Sequence, residues 1–374
     1  MTQAPDPGPG PLDFLVNRRD LSDCRFAPAE PAPAELRPGQ VLLGIDSFGL
    51  TANNVTYAAL GEAMGFWKFF PAPPGWGRVP VWGYADVLAS RHPHIEAGGR
   101  LFGYHPMSTR AVGEFGDAAG GHVDEITPHR RELPAVYNRY AYTAPGARAD
   151  ARAEDLQAVF KPLFNTAFLL DDFLADQGFF GARRVVIASA SSKTALGLAC
   201  LLSRRPDRPQ VIGLTSAANI GFVRRTGFFD GAIAYEDVAS IPADAPAVFV
   251  DMAGNAEVVG AVHRHLGEQL RYSCRVGLTH WNKTAAEQAV PGVQPVLFFA
   301  PAQSHKRVQE WGAGRFLARC DAAWAELAQA VPNCVDIVRL SGPAAVQRTY
   351  LDLLGRRVPP DQAHVLSWGP PQAA

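Results

Sequence analysis

Residues 190–194 read Ala-Ser-Ser-Lys-Thr, directly after the apolar run Val185-Val186-Ile187 and at the head of a stretch with helical spacing over 194–203. Three hydroxyls and an ammonium group at a strand-to-helix turn suit an oxyanion. The N–H groups that open a helix lack intrahelical acceptors and carry the positive end of its dipole, so Ser191, Ser192, Lys193 and Thr194 are candidate phosphate ligands. Residue types leave a second role open, an ordinary capped helix start, because the G-x-G-x-x-G fingerprint of dinucleotide loops is missing and only Gly197 lies nearby. The next expected strand, 211–214, runs into Thr215-Ser216, with no acid where an Asp or Glu would hold a ribose 2′-hydroxyl; Arg224 and Arg225 follow. If a dinucleotide binds here, that ending selects NADP(H), with Thr215, Ser216 and Arg224 on its phosphate-bearing ribose. The alternative is that the two hydroxyls cap the following helix and the arginines are solvated.

Other chemistries find less support. Cys24, Cys200, Cys274, Cys320 and Cys334 are odd in number and never closer than 14 positions, which yields neither a disulfide framework nor a close-set metal motif. Reduced, buried thiols are expected. His92, His94, His105, His122 and His129 are scattered through loops, and no metal site is expected from them. No G-x-S-x-G elbow is present for a hydrolase. Lys and Arg (35) balance Asp and Glu (36), so no overall field draws in a nucleic acid or an acidic membrane. The N-terminus shows no secretory pattern and no stretch is apolar for long enough to span a bilayer; a cytoplasmic protein is expected.

These candidate groups need elements to hold them. At 374 residues, with 47% hydrophobic and 19% charged residues, the chain has material for about two folded domains. Its Gly (35) and Pro (31) exceed the usual share and predict many turns. Short strands at 41–48, 79–90 and 100–104 dominate up to about residue 143, with an aromatic, Pro-rich loop or lid at 66–76. The character then changes. A helix is predicted over 156–177, followed by strands at 185–187, 211–214, 232–235, 247–251, 272–278 and 296–300, with helices at 194–203, 218–225 and 256–270 between them. Strands rich in Val and Ile alternating with helices are the βαβ pattern of a parallel sheet buried on both faces. The fold class is therefore α/β, with a doubly wound parallel six-stranded sheet. A long amphipathic helix at 307–330 and a strand at 335–338 complete the reading.

Several segments carry a family resemblance. The run Gln40 to Asn54 (QVLLGIDSFGLTANN) resembles the opening strand and Asn-bearing loop of medium-chain dehydrogenases/reductases, especially their zinc-independent quinone and enoyl reductase branch. Gly98-Gly99-Arg100-Leu101-Phe102-Gly103-Tyr104 is similar to their Gly-Asp-Arg-Val turn and strand. Asn165-Thr166-Ala167 resembles the Thr-Ala before their cofactor domain, and Gly227 to Tyr235 (GFFDGAIAY) their Ala-Asp-x-Val-Ile-Asp-Tyr strand. Asp251-Met252-Ala253-Gly254 falls at the end of their fourth strand. More narrowly, the loop Ser-Ala-Ser-Ser-Lys-Thr-Ala, in place of glycines, resembles that of an uncharacterised bacterial family within the superfamily.

The resemblance implies a GroES-like, partly open β-barrel domain made from both ends of the chain (1–160 and 304–374), with a Rossmann domain (161–303) inserted and an active cleft between them. It implies an NADP(H)-dependent oxidoreductase that reduces an α,β-unsaturated carbonyl, quinone or ketone without zinc. Thr166 joins the cofactor set on this basis. Tyr57 and Asn54 fit the catalytic roles by position, the phenol as proton donor or relay and the amide as a holder of a carbonyl or ribose; packing is the plain alternative for Tyr57. Tyr137 and Tyr140 could face the cleft or pack with their hydroxyls bonded, and Phe66, Trp67, Phe69, Phe70 and Trp76 could line an apolar pocket or fill a core. His280 and Trp281, just after the fifth strand, point by topology to the crevice edge, with a capping histidine as the alternative. The partners expected are a small-molecule substrate and, as an open option, a second copy in a homodimer. A second hypothesis keeps the fold but replaces hydride transfer with binding of an acyl-type ligand or a partner.

Overall fold

The computed structural model describes residues 10–30, 33–276 and 290–369. They form two compact units, Met1–Val159 with Ile337–Ala374, and Phe160–Asp336. The first unit is built from both ends of the chain, but the return comes at 337 rather than at the expected 304. The reason is packing: the helix that fills most of the interval turns Trp324 onto Phe164 and Phe316 onto Phe168 inside the second unit.

The first unit opens with β1 (Leu12–Asn17), β2 (Cys24–Pro28), β3 (Gln40–Leu50), α1 (Ala52–Ala59), β4 (Trp76–Arg78) and β5 (Pro80–Ser90). It continues with β6 (Arg100–Pro106), β7 (Arg110–Glu114), β8 (His122–Asp124) and β9 (Arg139–Thr143). β1 is buried nearly throughout and pairs antiparallel with β2 and β4. The long strands β3 and β5 pair antiparallel, and their inward residues Val41, Phe48, Val81 and Ala85 enter one core with Phe14 and Leu101. Arg100, 4% exposed, bonds Asp46 on β3, Asp86 on β5 and Glu154. Three carboxylates around one buried guanidinium supply the partners its desolvation requires.

The second unit begins within α2 (Ala151–Asp176) and carries β10 (Arg184–Ala188), α3 (Lys193–Ser203), β11 (Gln210–Thr215), α4 (Ile220–Arg225) and β12 (Gly231–Ala234). Then follow β13 (Ala247–Asp251), α5 (Ala256–Leu266), β14 (Leu270–Arg275), β15 (Val296–Leu297), α6 (Ala300–Trp311) and α7 (Ala313–Ala330). Among the described residues the six strands form one parallel sheet in the order β12-β11-β10-β13-β14-β15. That is the doubly wound order of a Rossmann sheet, and β10 and β13, buried nearly throughout, show why their sequences read as continuous apolar runs.

Boundaries moved where glycine or a tight turn intervenes. The helix expected over 307–330 is two helices, because Gly312 at φ 81° breaks the ladder. α5 stops at Leu266, where Gly267 turns the chain at φ 49°. A short 3-10 turn, Ala217–Asn219, takes the first two residues of the helix expected over 218–225. β15 keeps only two residues of 296–300 before α6 begins.

The chain returns through β16 (Asp336–Ser341), α8 (Pro343–Leu354) and β17 (Gln362–Ser367). These complete an eight-stranded sheet, β16-β17-β3-β5-β6-β9-β8, with β7 also on β3. Tyr350 of α8 is fully buried against Phe14. No described helix is long and apolar enough to cross a membrane.

Candidate functional site

In the second unit β10 has β11 on one side and β13 on the other, so the loop leaving its carboxyl end opens where the strand order reverses. An open parallel sheet binds its ligands at this point. Ser189 starts the loop at φ 55°, a left-handed conformation costing an L-residue roughly 1–2 kcal/mol. The Ala190 N–H donates to Leu214 O (3.0 Å) and the Ser192 N–H to Ser189 O (2.8 Å), which fastens the turn to β11 and to itself. A side chain on Gly213 would place its Cβ 2.8 Å from that of Ala190 and 2.9 Å from the Phe229 ring, so glycine is needed on β11 for the loop to lie there.

The hydroxyls divide the work. Ser192 is the N-cap of α3, its Oγ accepting from the Ala195 N–H (3.3 Å). Ser191 faces β11: its Oγ accepts from Thr215 Oγ1 (3.3 Å) and Asn219 Nδ2 (3.2 Å). Both bonds are accepted, so the Ser191 hydroxyl keeps its proton for a further acceptor. Lys193 and Thr194 form the first, half-buried positions of α3. Thr215 is buried at the end of β11, and Ser216 precedes the 3-10 turn without making a side-chain cap bond. Arg224 is exposed at the end of α4, with its Nη2 3.4 Å from Ala232 O. Thr166 is half-buried on α2, one residue before Ala167, against which α3 packs at Gly197. Sequence reading did not single out Asn219: an amide after a strand carries no signal until the turn folds it onto Ser191. Across the reversal, Asp251 ends β13 and accepts from the N–H groups of Ala253 (3.0 Å) and Gly254 (3.0 Å); burial raises its pKa above the usual carboxylate range.

In the first unit the other candidates surround α1. The Thr51 hydroxyl accepts from the Asn53 N–H (3.2 Å), and Asn54 Oδ1 accepts from the Thr51 N–H (2.8 Å), a capping box. Asn54 Nδ2 donates to Pro80 O (2.9 Å), tying α1 to the start of β5. The Asn54 carbonyl is therefore occupied within the fold, and what this residue controls is where α1 sits. One turn on, Tyr57 is 6% exposed, and its Oη accepts from Trp82 Nε1 on β5 (3.2 Å). Around its ring stand Phe66 (4.7 Å between centroids), Tyr104 (5.4 Å) and Tyr137 (6.1 Å). Burial raises the Tyr57 pKa while the Trp82 bond pulls it back. The phenol is thus neutral at pH 7 and, already accepting from an indole, has its own proton to give. Tyr104 adds a buried Oη with no described partner.

Tyr137 joins this aromatic cluster, whereas the Tyr140 ring belongs to the main core, its hydroxyl on Tyr104 O, Arg130 and Glu125. Within the segment 66–76, expected to be a loop or lid, Phe66, Trp67 and Phe69 are packed at 8%, 3% and 1% exposed, while Pro71 and Pro73 to Gly75 form an exposed loop. Phe66 and Phe69 belong to the Tyr57 cluster, Trp67 to the main core, and Trp76 lies beneath the Arg25 guanidinium. Apolar rings this close to a β-sheet face lose more by exposure than a mobile loop would gain. His280 and Trp281 lie outside the described residues. No cluster of three or more His, Cys, Asp or Glu suited to a metal occurs among the described residues.

A family model described as "Protein of unknown function (DUF2855)" matches residues 48–359. No curated protein matches the sequence. Among solved structures, CurA from Vibrio vulnificus in complex with NADPH superposes with a TM-score of 0.62 at 15% identity, over 96% of this chain and 100% of that one. The yhdH oxidoreductase from Salmonella enterica in complex with NADP gives 0.54 at 15% identity, over 96% and 100%. A mutant enoyl thioester reductase from Candida tropicalis gives 0.56 at 10% identity, over 96% and 99%. These are likenesses of fold, a GroES-like domain with a Rossmann domain.

Proposed function

The chain belongs to the family described as Protein of unknown function (DUF2855), and from that premise we propose that it is a zinc-independent, NADPH-dependent reductase of an α,β-unsaturated carbonyl, quinone or ketone. The observation that carries this reading is the β10–α3 loop. It stands at the reversal point of a Rossmann sheet and offers a hydroxyl with a proton to donate, the opening N–H groups of an 11-residue helix and a lysine. This donor set suits a pyrophosphate. Ser191, Ser192, Lys193 and Thr194 would hold it, with Thr166 contributing from α2. Thr215, Ser216 and Arg224 would take the ribose and its 2′-phosphate, for which the acid-free end of β11 leaves room for negative charge. The NADPH and NADP bound in the CurA and yhdH structures support the same choice.

NADPH, when bound, supplies a hydride. The chain's own contribution is to orient the substrate and to complete the reduction with a proton. Tyr57 would give its Oη proton to the enolate or alkoxide that hydride addition leaves on the substrate, and solvent would restore it. Asn54 acts on this step through the position of α1. The test is NADPH oxidation followed by absorbance over a set of quinones, enones and ketones, with wild type and Tyr57→Phe. Turnover should fall about 100-fold in the variant while its affinity for NADPH stays within about twofold. Equal turnover would return Tyr57 to packing.

A further inference from the structure

We propose that Tyr235 is a positioning residue that does for the β10–α3 loop what glycine does in a dinucleotide fingerprint. The inference deepens the cofactor reading and rests on it. Ser189 has to turn the chain out of β10 at φ 55°, and among the described residues only three others without a glycine's freedom have positive φ: Phe179, Phe180 and Arg356. None of these three belongs to the loop. A glycine would hold the turn unaided; a serine needs an external restraint.

Tyr235 follows β12, two strands away from β10 in the sheet, and its hydroxyl reaches back to Ser189. The Ser189 N–H donates to Tyr235 Oη (3.1 Å), and Ser189 Oγ lies 3.2 Å from the same oxygen. One phenol thus binds the backbone and the side chain of the left-handed residue together, and both bonds depend on that conformation. Downstream, the Ser192 N–H bonds Ser189 O, so a change at Ser189 passes directly to the cap of α3 and to the groups proposed to meet the phosphates. The missing glycines of the loop and the tyrosine after β12 are then two parts of one device. Its substrate-side consequence is affinity for the nucleotide, since Tyr235 acts through the loop's shape.

The device makes a suppressor prediction. Full-length wild type, Tyr235→Phe, Ser189→Gly and the double variant are titrated with NADPH by fluorescence and melted in its absence. Tyr235→Phe removes only the hydroxyl and should weaken NADPH binding about five- to tenfold and lower the melting temperature. Ser189→Gly should bind like wild type. In the double variant glycine holds the turn without the phenol, so affinity should return to within about twofold of wild type and the melting temperature should rise again. A double variant as weak as Tyr235→Phe alone would overturn the proposal, because it would place Tyr235 in direct contact with the ligand. Unchanged affinity and melting temperature in Tyr235→Phe would overturn it as well. If no form binds NADPH, the cofactor reading fails, and the melting temperatures alone then decide whether Tyr235 restrains Ser189.

Discussion

Tyr57 gains its chemical character from a neighbour 25 residues further along the chain. The Trp82 indole can only donate, so its bond fixes Tyr57 Oη as an acceptor and leaves the phenol proton for something else. The same bond favours the phenolate and opposes the effect of burial. Trp82→Phe keeps a ring against Tyr104 and Phe102 but removes the N–H. The Tyr57 pKa should then rise, because the charged form loses a donor, making the phenol a weaker acid. The expected result is a turnover lower by about three- to tenfold, with the alkaline limb of its pH profile moved to higher pH. An unmoved limb would show that Trp82 only packs. Sequence made Tyr57 visible as a phenol after an Asn-bearing loop. It could not show Trp82, since the pairing exists only when α1 is laid along β5. Asn54 was legible as a polar residue in the right loop, but its type does not distinguish a ligand for substrate from a cap, and the fold uses it as a cap.

At the scale of elements, α1 is held by one short sequence, Thr51 to Asn54, and by two bonds to β5, Asn54 to Pro80 O and Trp82 to Tyr57. Asn54→Ala removes half the capping box and leaves the Pro80 carbonyl and the Thr51 N–H without their partner in a buried site. Stability should fall by about 1–2 kcal/mol in urea unfolding. Turnover should fall with it, because α1 carries Tyr57; a variant with unchanged unfolding midpoint would contradict the cap's importance. The elements of the Rossmann sheet were the most legible part of the chain. β10, β11 and β13 lie between other strands, so their residues are mostly apolar on both faces and stand out from any polar background. Elements that cover an edge were harder to see. α8 and β17 take their burial from strands at the other end of the chain, as with Tyr350 against Phe14 and β17 against β3, and no local period marks them. The break between α6 and α7 was hidden for another reason: the apolar stripe continues across Gly312, while the φ of 81° that ends one helix is a backbone property.

At the scale of the molecule, the chain makes one unit from its two ends and a second from its middle, and the second bears the loop on which the proposed function stands. The change in pattern near residue 150 located the first junction to within about the length of α2. The second was misplaced because α6 and α7 follow the last strand of the Rossmann sheet in sequence yet stay packed on that unit, through Arg307 to Asp172 and Asp176 and through Trp324 to Phe164. The central claim is that the loop without glycines still binds a phosphorylated dinucleotide. Fluorescence titration of the full-length protein with NADPH and, separately, with NADH tests it most directly. Saturable binding is expected with NADPH, at least about tenfold tighter than with NADH, because the end of β11 carries hydroxyls and no acid. No saturable binding of either nucleotide up to about millimolar concentration, the weak end of specific affinities, would contradict the account.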